Sequence, residues 1–228
     1  MKHAGKARRA ALKIIFWTLV LLIAIFAAGI IATIFGTVVA ALTTGLIVVW
    51  ALFAIFTFYF FRDPEPRRPT IPNAIVSPAS GKLDLIDETT EELFMGGRCK
   101  RLSIFLSVFD VHVQRAPITG KIAFCKHTLG KFLSATKSDC GAHNENVLMG
   151  IEPADYPNQK LGIRLIAGLI ARRIVVWVNQ GETINRSEHI SLIQYGSRCD
   201  LYLPLAVKVH AKLGDHVKVG ETIVASFE

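Results

Sequence analysis

The N-terminal part of the chain is apolar without interruption, whereas the rest alternates short apolar runs with polar turns. Residues 14–61 contain no Lys, Arg, Asp, Glu or His. A helix needs about 20 apolar residues to cross a bilayer core of about 30 Å, so this stretch is long enough for two membrane-spanning helices. Continuous helix is weakest at Gly36-Thr37 and at Thr43-Thr44-Gly45. We therefore predict a hairpin of two helices, over roughly 14–35 and 39–61.

Basic residues flank the apolar stretch on both sides. Five of them and no acid precede it, and Arg62 follows it immediately. Since basic flanks stay in the cytoplasm, we predict a basic cytoplasmic arm over 1–13, a transmembrane hairpin over 14–61 and a cytoplasmic domain over 62–228. A secretory signal is the alternative, but its apolar part would span only about 7–15 residues before a small-residue cleavage site.

The domain after the hairpin has the pattern of a mainly β fold. It opens with a proline-punctuated link, residues 62–69, that cannot continue a helix. Beyond the link, short β-branched runs such as Ile174–Val178 and Ala206–Val209 are separated by Gly and Asp turns, which is typical of strands. We therefore predict an α+β chain, mainly β, with an N-terminal helical hairpin.

Two internal repeats indicate that this domain contains duplicated hairpins. Residues 181–190 match residues 214–223 at a constant offset, and each copy follows a valine-rich strand. A weaker similarity relates residues 78–83 to residues 117–122. The pattern of strand, Gly-acid turn and strand is that of sandwich-hybrid modules such as lipoyl and biotinyl domains. Neither copy has the Met-Lys tip that those carriers modify, so the repeat predicts the fold without a carrier function.

Composition and charge exclude several classes of protein. A chain with 51% hydrophobic and 19% charged residues is too apolar to be disordered. Residues 62–228 hold 21 basic and 18 acidic residues, which is too weak an excess for nucleic-acid binding, whereas the basic arm suits anionic lipid headgroups. The four cysteines form no C-x-x-C pair, and no His, Cys and carboxylate cluster has metal-ligand spacing. We therefore expect reduced thiols and no metal site.

The Gly196-Ser197 junction lies between the two copies of the longer repeat and offers the candidate chemistry. In a tight turn the Ser197 hydroxyl can attack the Gly196 carbonyl and move the acyl group from nitrogen to oxygen, and glycine tolerates the strained geometry. β-Elimination then frees the Gly196 carboxylate, and loss of ammonia leaves an N-terminal pyruvoyl group at residue 197. Such a group withdraws electrons from a carbon that loses CO2, as pyridoxal phosphate does. By itself, however, Gly-Ser is also an ordinary turn dipeptide.

The residues around this junction resemble the processing site of the short bacterial phosphatidylserine decarboxylases. The similar segments, in the family's order, are residues 60–65, 111–117, 168–174, 195–204 and 220–222. The resemblance implies a proenzyme that cuts itself between Gly196 and Ser197 into a large N-terminal chain and a small C-terminal chain, which stay together as a heterodimer. It also implies that a pyruvoyl group made from Ser197 converts the membrane phospholipid phosphatidylserine into phosphatidylethanolamine and CO2. The catalytic domain would lie on the cytoplasmic side of the bacterial inner membrane.

The same resemblance suggests roles for two further residues. His112, between two valines, matches a histidine that the family uses, and an imidazole that titrates at about pH 6.5 suits a proton donor to the decarboxylated carbon or a base for Ser197. A histidine in this setting is also compatible with a purely structural role. Arg115 is the candidate for binding the substrate carboxylate or phosphate, although a surface ion pair would use the same side chain. His216, in a Gly-Asp turn, is expected to be solvated.

One departure from the family pattern concerns self-cleavage. The family's Pro-Ala-Asp-Gly tetrapeptide, whose aspartate serves cleavage, is Pro78-Ala79-Ser80-Gly81 in this chain. A serine cannot stabilise an imidazolium as an anion does. Three alternatives follow: slow maturation, replacement by another acid such as Asp84 or Asp110, or an unprocessed, catalytically silent lipid-binding relative anchored in the membrane. A further class, an adaptor of a membrane transport assembly, would not require Ser197.

Overall fold

A computed structural model describes residues 5–32, 36–130, 144–168, 173–194 and 197–227. These residues fall into two compact units, a helical unit over Gly5–Asp63 and a β-rich unit that begins at Pro64. The prediction of a mainly β fold with an N-terminal helical hairpin is confirmed.

The helical unit consists of α1 (Lys6–Ala32) and α2 (Thr37–Phe60). Its turn lies at the first of the two positions where the sequence weakens helix. Gly36 precedes α2 with a φ of 107°, a conformation that glycine adopts without steric penalty. The second position stays helical, and the Thr43 hydroxyl there donates to the Val39 carbonyl at 2.8 Å within the same helix.

Both helices have the length and composition of membrane spans. The segments Lys6–Ile30 and Val38–Phe60 each contain a stretch of 18 residues with a mean hydropathy of 2.5. Helix α1 begins at Lys6, so part of the segment expected to be an arm is helical. The two helices approach closely at Gly29, where an added Cβ would lie 2.9 Å from Thr43 Oγ1. Small residues allow this kind of close packing between helices in a membrane.

The β-rich unit contains fourteen strands within the described residues. They are β1 (Ala74–Val76), β2 (Gly81–Glu91), β3 (Gly97–Leu106), β4 (Val113–Arg115), β5 (Gly120–Thr128), β6 (Asn146–Pro153), β7 (Leu161–Ala167), β8 (Ile174–Val176), β9 (Thr183–Ile184), β10 (His189–Ile193), β11 (Ser197–Leu203), β12 (Lys208–Val209), β13 (His216–Val217) and β14 (Ile223–Ser226). All of their pairings are antiparallel.

The strands form one large sheet and two small ones with an internal symmetry. The large sheet has the order β13-β2-β3-β11-β7-β6-β5-β9, and the small sheets have the orders β1-β14-β12 and β4-β10-β8. If β13, β2, β3 and β11 are exchanged one for one with β9, β5, β6 and β7, the large sheet has the same strand order when it is read from its opposite edge. The duplication that the repeats predict is therefore a relation between two halves of the whole domain.

Equivalent hydrogen bonds mark the two copies. The Gly181 amide donates to the Ile122 carbonyl at 2.7 Å, and in the other copy the Gly214 amide donates to the Leu83 carbonyl at 2.8 Å. Both glycines have a positive φ, 93° and 94°, which fits the Gly-acid turns of the repeat. In each copy a Gly-acid turn therefore bonds to the strand that contains the weaker repeat, which is β5 in one copy and β2 in the other.

The core lies on one face of the large sheet. Alternate residues of β11, namely Cys199, Leu201 and Leu203, are fully buried in the main apolar cluster. Burial of each large apolar side chain contributes about 1.5–3 kcal/mol. Because β11 lies between β3 and β7, its inward-facing residues are covered from both sides, and the strand that begins at Ser197 is central to the fold.

We expect Gly81→Ala to destabilise the β unit by about 3 kcal/mol or more, because it combines backbone strain with a steric clash. Gly81 has a φ of 152°, and an added Cβ would lie 2.2 Å from the Phe105 carbonyl oxygen of the neighbouring strand. Gly181→Ala is the matched control, since Gly181 has a φ of 93° but nothing within 4 Å of the added Cβ. It should cost only about 1 kcal/mol. Thermal unfolding followed by circular dichroism measures both, and equal losses would contradict the clash.

Candidate active site

Ser197 is the first residue of β11 and is held on both sides. It pairs with Leu106 of β3 and with Ala167 of β7. Its side chain is fully buried, and its Oγ has no hydrogen-bond partner among the residues that the structure describes. A buried hydroxyl without a partner costs about 1–3 kcal/mol, and among the described residues the buried Ser103 hydroxyl of β3 is in the same situation. Gly196, the other residue of the junction, lies outside the described residues.

His112 lies immediately before β4 and is fully buried. Its Nδ1 is 3.0 Å from the main-chain carbonyl oxygen of Asp110. A carbonyl oxygen only accepts hydrogen bonds, so this contact requires the proton to be on Nδ1. In the neutral imidazole the lone pair is then on Nε2, which is the nitrogen able to accept a proton.

The sheet topology brings the segments that carry His112 and Ser197 together. At one end, Ser197 pairs with Leu106. At the other end, the Ile193 amide donates to the His112 carbonyl at 3.2 Å. The contact between Ser197 and Leu106 and the contact between Ile193 and His112 are separated along the chain only by the short connections 106–112 and 193–197. The two residues predicted to act together therefore lie on adjoining segments, although they are far apart in the sequence.

Arg115 is placed in the interior of the β unit. Its side chain is fully buried, and its guanidinium donates to the Ser187 carbonyl at 3.0 Å and to the Pro64 carbonyl at 3.4 Å. These contacts join the linker at Pro64 to the loop at Ser187, which gives the residue a role in holding the fold. That it also binds substrate stays a prediction.

The Ser80 hydroxyl is used in a structural hydrogen bond. It accepts from the Val219 amide at 3.0 Å. Thr119 holds the matching position in the second copy, and its hydroxyl accepts from the Arg186 amide, also at 3.0 Å. Arg186 and Val219 are themselves related by the offset of the longer repeat. The contact belongs to the duplicated architecture, and Ser80 is thereby engaged with the C-terminal segment of the chain.

Asp84, one of the two acids considered as a replacement, is paired with Arg198. Its two carboxylate oxygens accept from the two terminal nitrogens of Arg198 at 2.8 and 2.5 Å. Arg198 is almost fully buried, and it follows Ser197 directly. A register shift between Leu83 and Leu85 leaves Asp84 as an extra residue in β2, and such a bulge redirects a side chain. This pair fixes the start of β11 to β2.

Asp110, the other acid, lies on the turn that leads to His112. Its Oδ2 accepts from the Ser107 amide at 2.8 Å and from the Ser107 hydroxyl at 2.7 Å. Its Oδ1 is 2.9 Å from His216 Nε2. The expectation that His216 is merely solvated was incomplete: the side chain is exposed, but it contacts a buried carboxylate. Sequence reasoning missed this contact because the two partners lie on distant parts of the chain.

Strand β11 also carries a thiol, that of Cys199, two residues after Ser197. Cys199 is fully buried, and burial together with the charge of Asp200 raises the pKa of its thiol. The nucleophilic thiolate is therefore scarce at neutral pH and does not compete with the Ser197 hydroxyl. Cys99, Cys125 and Cys199 are all free thiols, and Cys140 lies outside the described residues.

Comparison with known proteins gives a consistent result. A family model described as phosphatidylserine decarboxylase matches residues 53–225. The chain is 44% identical over 176 residues to the phosphatidylserine decarboxylase proenzyme of Desulfotalea psychrophila, and the match covers 77% of this chain and 81% of the relative. It is 37% identical over 195 residues to the proenzyme of Symbiobacterium thermophilum, with 83% and 90% covered. It is also 37% identical over 204 residues to that of Ruegeria pomeroyi, with 85% and 92% covered.

Proposed function

The chain belongs to the phosphatidylserine decarboxylase family, and from this membership we propose that it decarboxylates phosphatidylserine to phosphatidylethanolamine with a pyruvoyl group made from its own Ser197. The observation that carries the proposal is the position of Ser197, which begins the central strand β11 directly after the predicted cleavage point and whose buried hydroxyl has no hydrogen-bond partner within the described part of the chain. An orphaned buried nucleophile at the first position of a central strand fits a residue whose side chain is to be converted. The pyruvoyl group would supply an electron sink for the charge that remains when CO2 leaves.

Self-cleavage needs a base for the Ser197 hydroxyl, and His112 Nε2 fits this role because Nδ1 is engaged with the Asp110 carbonyl. Ser197 Oγ forms a bond to the Gly196 carbonyl carbon while the bond from that carbon to the Ser197 nitrogen breaks. Elimination then removes the Cα proton of residue 197, breaks its Cβ–Oγ bond and releases the Gly196 carboxylate. The dehydroalanine that remains gains a proton at Cβ and becomes an imine. Water replaces the nitrogen of residue 197, which leaves as ammonia, so that a ketone remains.

His112 also has the properties of the proton donor for turnover. Its ring is buried, and the Asp110 carbonyl fixes one nitrogen. The Nε2 atom can therefore hold the proton that the reaction returns to the substrate carbon. One imidazole would thus act as base during maturation and as acid during catalysis.

The architecture supports a processed enzyme whose two chains remain associated. The small chain from Ser197 onward would contribute β11, which pairs along its length with β3 and β7 of the other chain. It would also contribute β13, which pairs with β2, and β14, which pairs with β1. Removing this chain would open the middle of the large sheet and expose its core, so we propose a stable heterodimer.

The helical unit supports a location in the bacterial inner membrane. The two apolar helices would form the membrane anchor, with the chain termini and the β unit on the cytoplasmic side. Lys6, Arg8, Arg9 and Lys13 at the start of α1, and Arg62 after α2, favour this orientation. An anchored enzyme suits a substrate whose acyl chains stay in the bilayer.

We expect purified, aged protein to consist of two chains that separate under denaturing conditions and migrate together under native ones. Mass spectrometry should identify a fragment over residues 197–228 whose first residue is a pyruvoyl group. The catalytically silent relative predicts the opposite result, a chain that stays intact with a serine at position 197. An intact chain after prolonged incubation in phosphatidylserine-containing micelles would therefore refute the proposal.

A further inference from the structure

We infer that Asp110 is a positioning residue for His112, and that it acts together with His216; this role rests on the proposed function. The sequence left open how the chain matures without an aspartate at position 80. Within the described residues, the Ser80 hydroxyl has its hydrogen bond with the Val219 amide, and Asp84 is occupied by Arg198. Asp110 is the carboxylate that the structure places on the turn leading to His112.

The first argument is the turn that Asp110 closes. The Asp110 amide donates to the Ser107 carbonyl at 3.0 Å, and the Asp110 carboxylate accepts from both the amide and the hydroxyl of Ser107. The main chain and the side chain of Asp110 therefore both bond to Ser107, and together they close the turn over residues 107–110. The carbonyl of the same residue accepts from His112 Nδ1. A fixed turn therefore means a fixed acceptor, and a fixed acceptor keeps the lone pair of the neutral imidazole on Nε2.

The second argument is the link to His216. Oδ1 of Asp110 contacts His216 Nε2 at 2.9 Å, and His216 belongs to β13, which pairs with β2 at Lys82 and Gly81. The turn before His112 is in this way tied to the large sheet from outside its own segment. The pair also crosses the proposed cleavage point, since Asp110 and His216 would belong to different chains. It can hold the turn both before and after processing.

The third argument is electrostatic. Ser197 deprotonation leaves a positive charge on the His112 ring, and a nearby anion favours that charged form. Asp110 precedes His112 closely in the chain and is largely buried, where its charge is screened less than on the surface. Serine at position 80 has no charge to contribute. Asp110 is therefore the buried carboxylate that the segment leading to His112 offers, whereas position 80 offers none.

The first test measures the rate of self-cleavage in freshly purified full-length variants. Asp110→Asn keeps the size of the side chain but replaces an acceptor by a donor and removes the charge. We expect cleavage to be about 10-fold to 100-fold slower, as for other partners that orient a functional histidine. Asp215→Asn is the control, because Asp215 closes the turn at Lys212 by accepting from its amide at 2.8 Å, and precedes His216 directly. It should cleave at the rate of the unmodified protein.

Two more variants keep the inference falsifiable if Asp110→Asn folds poorly. His216→Ala alters an exposed side chain and leaves the Ser107–Asp110 turn untouched, and it should slow cleavage in the same direction by a smaller factor. Ser80→Asp should leave the rate unchanged, because Asp110 already supplies the carboxylate. An unchanged rate in both Asp110→Asn and His216→Ala, or a large acceleration by Ser80→Asp, would overturn the inference.

The second test reads the His112 tautomer directly and does not need cleavage. Nitrogen-15 NMR of histidine-labelled Ser197→Ala protein should show His112 protonated on Nδ1, with the signal assigned by its loss in Ser197→Ala/His112→Gln. Adding Asp110→Asn should shift both ring nitrogens toward a mixture of tautomers, whereas adding Asp215→Asn should not. Identical His112 shifts with and without Asp110→Asn would refute the positioning role. If unmodified protein never cleaves, the proposed function fails while this measurement still decides the inference.

Discussion

Replacing Ser197 with alanine is expected to abolish both self-cleavage and decarboxylation. The hydroxyl is the atom that would attack the Gly196 carbonyl, and it is also the source of the ketone, so no other group of the chain can take its place. The buried Cys199 thiol, whose pKa is raised by burial, is not a substitute. Denaturing electrophoresis should show a single full-length chain at all times, and CO2 release from carboxyl-labelled phosphatidylserine should fall to the level without enzyme.

Ser103→Ala is the matched control for this result. Ser103 is also buried, lies in the neighbouring strand β3 and pairs in register with Asp200. Its loss should leave both cleavage and CO2 release intact. Cleavage that persists in Ser197→Ala would reject the proposed origin of the electron sink, whereas loss of cleavage in both variants would indicate damage to the sheet.

His112→Gln is expected to reduce the rate of cleavage by a factor of about 10²–10⁴, the usual contribution of a general base. Glutamine is similar in size and can still donate to the Asp110 carbonyl, but it cannot accept and release a proton at the pH of the cytoplasm. Decarboxylation measured per cleaved molecule should fall by a comparable factor, because the same atom would return the proton to the substrate. The two rates are measured separately, by electrophoresis and by CO2 release.

His127→Gln provides the control for this substitution. His127 is half exposed on β5, which β6 and β7 separate from β11 in the large sheet, and its Nε2 is 2.9 Å from Oε1 of Glu145, just before β6. We expect it to cleave and turn over at unmodified rates. A His112→Gln protein that matures normally but does not decarboxylate would restrict His112 to turnover and would require another base for Ser197.

Local features of the sequence predicted the architecture well. The absence of charge over residues 14–61 predicted two helices, and the turn between them lies at Gly36, where a positive φ favours glycine. The longer repeat predicted duplicated hairpins because each copy carries its own turn residues. Thr43 was a weaker guide, since its hydroxyl bonds within the helix and leaves the helix uninterrupted.

Contacts between distant residues were not predictable in the same way. Ser80 stands where the family has the aspartate that serves cleavage, and its hydroxyl accepts a hydrogen bond from the Val219 amide in the C-terminal segment. Arg198, which pairs with Asp84, and His216, which contacts Asp110, are also remote in the sequence and lie beyond the proposed cleavage point. Such pairs depend on strand register, and a shift of one position would turn each side chain to the other face of its sheet.

The amino-acid sequence alone determined the pair of apolar helices, the mainly β domain, its duplication and the family to which the chain belongs. These properties follow from hydropathy, turn residues and motifs, each of which is contained in a short stretch of chain. The folded structure was needed to show that Ser197 begins the central strand β11, that Ser80 is engaged elsewhere and that Asp110 contacts His216. The physical reason is that antiparallel pairing of fourteen strands, rather than any local preference, decides which distant side chains meet.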